Sequence, residues 1–128
     1  VSAFYTENGE DPFGVVMWPG SLHAARQLCA WPETVRNKTV LVLGAGTGLE
    51  ALTAATLGAT RVLATDVNQL TLALLADAAR GAGLDRQIDT HVFDLSGSEP
   101  LPCADVAVFA DVLYTRELTA HVARRCAE

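Results

Sequence analysis

Short apolar runs alternate along the chain with stretches in which apolar residues recur at helical spacing. Thr39 to Leu43, Arg61 to Thr65, Ile88 to Phe93 and Asp105 to Ala110 read as strands. The first of these is apolar after Thr39, as expected of a strand covered on both faces. Ser21 looks like the N-cap of a helix reaching about Ala30, with Leu22, Ala25 and Leu28 on one side and Pro32 ending it. Thr47-Gly-Leu-Glu50 has the spacing of a capping box, which opens a helix to about Leu57 with Gly58 behind it. Asn68 caps a helix over about 69–82, and Thr115 caps one that starts near Arg116. Upstream, residues 1–17 read as irregular, with Asn8-Gly9 and Asp11-Pro12 as turns. Val15 to Trp18 reads as a short extended piece that Pro19-Gly20 breaks, and Ser96 to Pro102 as a loop.

Strands that alternate with helices predict an α/β fold with a parallel, doubly wound sheet. Right-handed crossovers place the strands in the order 3-2-1-4 and set their carboxyl ends along one rim. Residues 1–38 are expected to form an N-terminal segment with a capping helix, and residues 39–128 the core. With four strands, the outer side of the last would be an exposed apolar edge through which chains associate.

Composition narrows the function without naming it. The chain has 128 residues, half of them apolar and 19% charged, with a formal net charge of −6. Lys38 is the sole lysine, and Arg124-Arg125 is the only basic doublet, explained most simply as a solvated helix face. A nucleic-acid footprint would need clustered basic residues, so no nucleic-acid partner is expected. No apolar run approaches the roughly 18 residues of a membrane span, so no membrane partner is expected. Cys29, Cys103 and Cys126 are far apart and odd in number, and His23, His91 and His121 do not cluster with them. No metal is expected, and a reducing compartment is. Glu7, Glu10 and Asp11 stand where a signal peptide would be basic. A cytoplasmic location follows, and a mitochondrial one stays open because the chain opens on Val1 rather than methionine. Both ends look cut, since Cys126-Ala-Glu128 falls inside the last helix.

The chemistry gathers at the predicted strand ends. Thr39-Val-Leu-Val-Leu-Gly-Ala-Gly-Thr-Gly48 reads as a strand, a glycine turn and a helix start. Gly44, Gly46 and Gly48 allow close backbone approach, and the following helix directs its N–H groups at whatever fills the turn. The spacing is G-x-G-x-G, whereas a dinucleotide site has G-x-G-x-x-G. This favours S-adenosyl-L-methionine, which has no pyrophosphate, over NAD. Asp66 ends the second strand and would take ribose hydroxyls. Asp94 would accept from the adenine amino group, with Leu95 packing near the ring. Asp111 would sit beside the reactive sulfonium, with Ala110 just before it.

With these features the chain resembles the class I, seven-strand S-adenosylmethionine-dependent methyltransferases, over roughly residues 12–128. Asp111-Val-Leu-Tyr114 is similar to the D-x-x-Y signature of a group of protein-lysine methyltransferases. Val16-Met-Trp18-Pro-Gly20 and the helix after it resemble that group's W-P or W-D segment, and Trp18-Pro-Gly20 together with the D-x-x-Y box most resembles the lysine methyltransferases of the electron-transfer flavoprotein β subunit. The resemblance implies a Rossmann-like sheet cut before strands 5–7 and S-adenosyl-L-methionine as cofactor, with S-adenosyl-L-homocysteine as product. It also implies a protein lysine as acceptor, Asp111 and Tyr114 as catalytic residues, and Trp18, Gly44, Gly46, Gly48, Asp66, Asp94, Leu95 and Ala110 as cofactor-binding residues. Trp18 could equally anchor the N-terminal segment, and Tyr114 could be a packed aromatic. Some members of the group are labelled nicotinamide N-methyltransferase-like, so a small-molecule amine is the alternative acceptor. Val42 stands where the family usually has an acid that helps hold the methionine amino group, and Glu50 looks committed to its capping box. That departure and the missing strands keep a non-catalytic interaction domain as a further alternative.

Overall fold

The computed structural model describes residues 12–128, and the turns expected at Asn8-Gly9 and Asp11-Pro12 fall wholly or partly outside them. Four parallel strands form one sheet in the order β3-β2-β1-β4. They are β1 (Thr39–Leu43), β2 (Arg61–Asp66), β3 (Ile88–Val92) and β4 (Val106–Phe109). The helices are α1 (Pro19–Ala30), α2 (Leu49–Thr56), α3 (Gln69–Gly81) and α4 (Arg116–Arg125). The doubly wound α/β architecture and its strand order are those the alternation of patterns predicts.

β1 is central because its residues are apolar on both faces. Val40 and Val42 join Val62, Ala64 and the buried faces of α1, α2 and α3 in one core, through Leu28, Ala51, Ala54, Leu75 and Ala79. Leu41 and Leu43 point the other way, into a smaller core with Phe93, Leu95, Val112 and Val122 of α4. Burying aliphatic groups at about 25 cal/mol per Å² of apolar surface is the main force holding the sheet between its layers. Thr65, buried among them, satisfies its hydroxyl by donating to the Val42 carbonyl at 2.9 Å. The register pairs Leu43 with Thr65 and with Phe109, and Thr65 with His91. The carboxyl ends of the strands therefore stand level along one rim.

Several local expectations change. Val15 to Trp18 forms no strand; a 3-10 turn occupies Pro12–Val15. Helix α1 starts at Pro19, before Ser21, because proline at the first helical position costs no hydrogen bond and pre-sets φ. The capping box at Thr47 does not form. Gly48 is the N-cap of α2 in the left-handed region (φ 81), and no side chain among the described residues caps that end. A Cβ at Gly48 would run into the Leu75 side chain of α3, so this glycine serves helix packing as well as the turn. Asn68 and Thr115 do cap, accepting from Leu70 and Thr71 and from Leu118. Arg125 is not solvated but 3% exposed.

Candidate functional site

The turn after β1 is fixed by the acid that ends β2. Asp66 Oδ2 accepts from the Gly46 N–H at 2.9 Å, and Oδ1 accepts from the Asn68 N–H at 3.0 Å. Each oxygen uses one of about two lone-pair directions, which leaves capacity for a vicinal diol. After β3, Asp94 Oδ1 accepts from both the N–H and the hydroxyl of Ser96, at 2.8 and 2.7 Å. Those hydrogen bonds hold the Asp94 carboxyl below the usual carboxylate range, with His121 and Arg125 adding to the effect. Leu95, 8% exposed, packs into the second core beside the rim.

The loop that carries Asp94 and Leu95 is held from below by Arg125. Its guanidinium donates to the carbonyls of Leu95 (3.1 Å), Gly97 (2.8 Å) and Glu99 (2.6 Å). It pairs with Glu128 at 2.9 Å and lies 5.2 Å from the centre of the Phe93 ring. A planar, five-donor group suits such a carbonyl-lined niche, where a lysine could not serve all partners at once.

At the other end of the rim, Asp111 follows β4 with φ 54, a rare conformation for a residue with a side chain. Its carboxylate accepts from the Ser21 N–H at 3.0 Å and so closes the N-terminus of α1. A Cβ on Gly20 would collide with that carboxylate, so the Trp18-Pro-Gly segment needs its glycine for close approach. Trp18 and Tyr114 are 39% and 64% exposed and stand at the mouth.

Between the two ends lies a cleft of about 160 Å³. It gathers Trp18, Gly44, Gly46, Asp66, Asp94, Leu95, Ala110, Asp111 and Tyr114, nine of the ten residues singled out in the sequence. Gly48 is the one left out, turned to α3 instead. Ser21, Thr47, Asn68, Phe93, Val112 and Leu118 also line it and carried no sequence signal of their own as site residues. A second cavity of about 650 Å³ adjoins it, lined by Trp18, Phe109, Ala110, Asp111, Val112, Leu113 and Tyr114. Among the described residues the cleft carries three aspartates and no lysine, arginine or histidine. A glycine floor, an acid with free acceptor capacity at the end of β2 and an acidic wall fit an adenosyl group that bears positive charge. The described residues contain no His, Cys, Asp and Glu group arranged for a metal, and no helix long and apolar enough to cross a membrane.

Glu50 is the residue that local pattern places wrongly. Freed from the capping box, it is 2% exposed, and its Oε2 has no hydrogen-bond partner among the described residues. Burial raises its carboxyl above the ordinary glutamate value, and the nearby Asp111 charge raises it further. Its own N–H and the Ser21 hydroxyl act in the opposite direction.

The parallel sheet with its functional rim defines the class as a Rossmann-like α/β domain of the methyltransferase type. The sequence profile of the ribosomal protein L11 methyltransferase (PrmA) family matches residues 21–127, and the chain belongs to that family. It is similar to the electron transfer flavoprotein beta subunit lysine methyltransferase of Danio rerio, at 39% identity over 105 residues, 78% of this chain and 35% of that protein. The Homo sapiens protein of the same name is 42% identical over 60 residues, 47% of this chain and 23% of that protein. The chain thus spans about a quarter to a third of these relatives' length. Among solved structures, YJHP from E. coli superposes with a TM-score of 0.71 at 18% identity, over 99% of this chain and 51% of that one, a likeness of fold.

Proposed function

We propose that this chain is the cofactor-binding part of an S-adenosyl-L-methionine-dependent methyltransferase that N-methylates a lysine in a protein. The observation that carries the reading is the shared wall. Trp18, Ala110, Asp111, Val112 and Tyr114 border both the cleft and the larger cavity beside it. A cofactor in the first and an acceptor in the second would meet at Asp111. When bound, the cofactor supplies an electrophilic methyl group on sulfur. Asp66 takes the ribose hydroxyls, Asp94 the adenine amino group, and Leu95 packs on the ring, above the glycine turn at Gly44 and Gly46.

Aligning the acceptor with the methyl is the main work left to the protein, and positioning of this kind lowers a barrier by several kcal/mol. A lysine amine, with an ordinary pKa of about 10.4, must first lose its proton to solvent water. Entering an apolar channel beside Phe109 and Leu113 disfavours its charged form. Asp111 then orients the nitrogen by accepting its hydrogen bonds, and Tyr114 narrows the passage. The named relatives favour a protein acceptor, and a small-molecule amine is the alternative that the same scaffold allows. We further propose association through the outer edge of β4. The exposed, unbridged thiols of Cys29, Cys103 and Cys126 support a reducing, cytoplasmic setting.

Asp111→Asn tests the reading better than Asp111→Ala, because asparagine tolerates positive φ and can still cap α1. Transfer of labelled methyl to protein lysine should fall by about a hundredfold or more. Undiminished transfer would remove Asp111 from the chemistry. Label found only in small amines would move the acceptor to the alternative.

A further inference from the structure

A buried carboxyl with an unpartnered oxygen is costly, and native structures keep few of them. Glu50 is such a group, on the first turn of α2. It makes no cap there, since the N-cap is Gly48. Its polar neighbours are the Ser21 hydroxyl and the Asp111 carboxylate, and both line the cleft. Two carboxyls brought together in a wall that has no basic residue among the described ones are stabilised by a cation arriving from outside.

The strand order says which part of a ligand that cation is. Along the rim stand Asp94 after β3, Asp66 after β2, the glycine turn after β1 and Asp111 after β4. An adenosine held by Asp94 and Asp66 leaves its 5′ substituents at the β1–β4 end, beside Ser21 and Asp111. β1 brings only aliphatic side chains to its end, with Val42 buried in the first core. The acid at this end therefore comes from α2, which covers that same core through Ala51 and Ala54.

We propose that Glu50, assisted by Ser21, receives the ammonium of the cofactor's amino-acid end and so selects adenosyl ligands that carry an amine. The inference rests on the adenosyl reading of the cleft. It gives Glu50 a positioning role, since it fixes one substituent of the sulfur while Asp111 faces the acceptor.

Calorimetric titration of the intact protein with S-adenosylhomocysteine and with 5′-methylthioadenosine, which lacks the amino-acid end, tests it. The native protein should prefer S-adenosylhomocysteine. Glu50→Gln should weaken that ligand by roughly 10- to 100-fold, the scale of a charge-assisted hydrogen bond, and leave 5′-methylthioadenosine within about twofold. Equal losses for both ligands, or none, would overturn the assignment while leaving the adenosyl reading in place. Failure of the native protein to bind either ligand would remove that reading and the assignment with it. Ser21→Ala keeps the carboxyl and guards against a variant that does not fold. It should reduce S-adenosylhomocysteine affinity alone, and a parallel loss of both ligands counts against the proposal.

Discussion

Glu50 illustrates how a residue that looks locally satisfied can be globally unsatisfied. Thr47-x-x-Glu50 meets the spacing of a capping box, but Gly48 adopts φ 81 and starts the helix one residue late. The glutamate is thereby turned inward, where burial raises its carboxyl above the ordinary value. Between the ordinary value and the raised one, the folded chain keeps a proton that the unfolded chain has released. The stability this contributes is complete below the ordinary glutamate range, about pH 4.3, and is lost as pH rises through the folded value. Glu50→Gln removes that titration. Thermal melts from about pH 4 to about pH 8 should show the native midpoint declining relative to the variant's, and parallel profiles would contradict it. Gly48→Ala should destabilise by about 1–3 kcal/mol, from positive φ and from the collision with Leu75, as read by denaturant unfolding. A glycine at that place was legible as a turn; that Leu75 of α3 needs its missing Cβ was not, because the two lie far apart in the chain.

Among the elements, α4 shows the same division. Its start was readable, since Thr115 accepts from the Leu118 N–H at 3.0 Å as an N-cap should. Thr115→Ala should cost about 1 kcal/mol. Its far end was not readable. A basic doublet looks like a solvated face, and Arg124 does sit at the surface, but Arg125 turns under the loop after β3 and holds three of its carbonyls. Arg125→Met should lower stability by about 1–3 kcal/mol, by orphaning the Glu99 carbonyl and leaving those of Leu95 and Gly97 to Arg124, which donates to both. It should also loosen adenosine binding, because Leu95 and Asp94 belong to the loop it holds. A variant of native stability would show that the carbonyls find other partners. Element boundaries moved for comparable reasons: α1 gained Pro19 and Gly20 because Asp111, from the opposite end of the chain, closes its N-terminus.

For the molecule as a whole, the sheet order decides what meets what. Asp94, Asp66, the glycine turn and Asp111 are ordered along the rim by β3-β2-β1-β4, not by their order in sequence. β4 is paired only on its β1 side among the described residues, with Val106, Val108 and Phe109 half-buried. Association through that edge should appear as a mass that grows with concentration in sedimentation, and a constant monomer mass would exclude it. The sequence by itself determined the alternation of elements, the double-sided burial of β1 and the presence of acids at strand ends. Those follow from periodicity and from backbone demands that act over a few residues. Tertiary structure alone decided that Gly48 packs against α3, that Arg125 is buried under a loop, and that one carboxyl oxygen of Glu50 is left without a partner among the described residues, behind Ser21 and Asp111. Each of these depends on groups distant in sequence being pressed together, where the loss of water, rather than local spacing, sets the energy of a polar side chain.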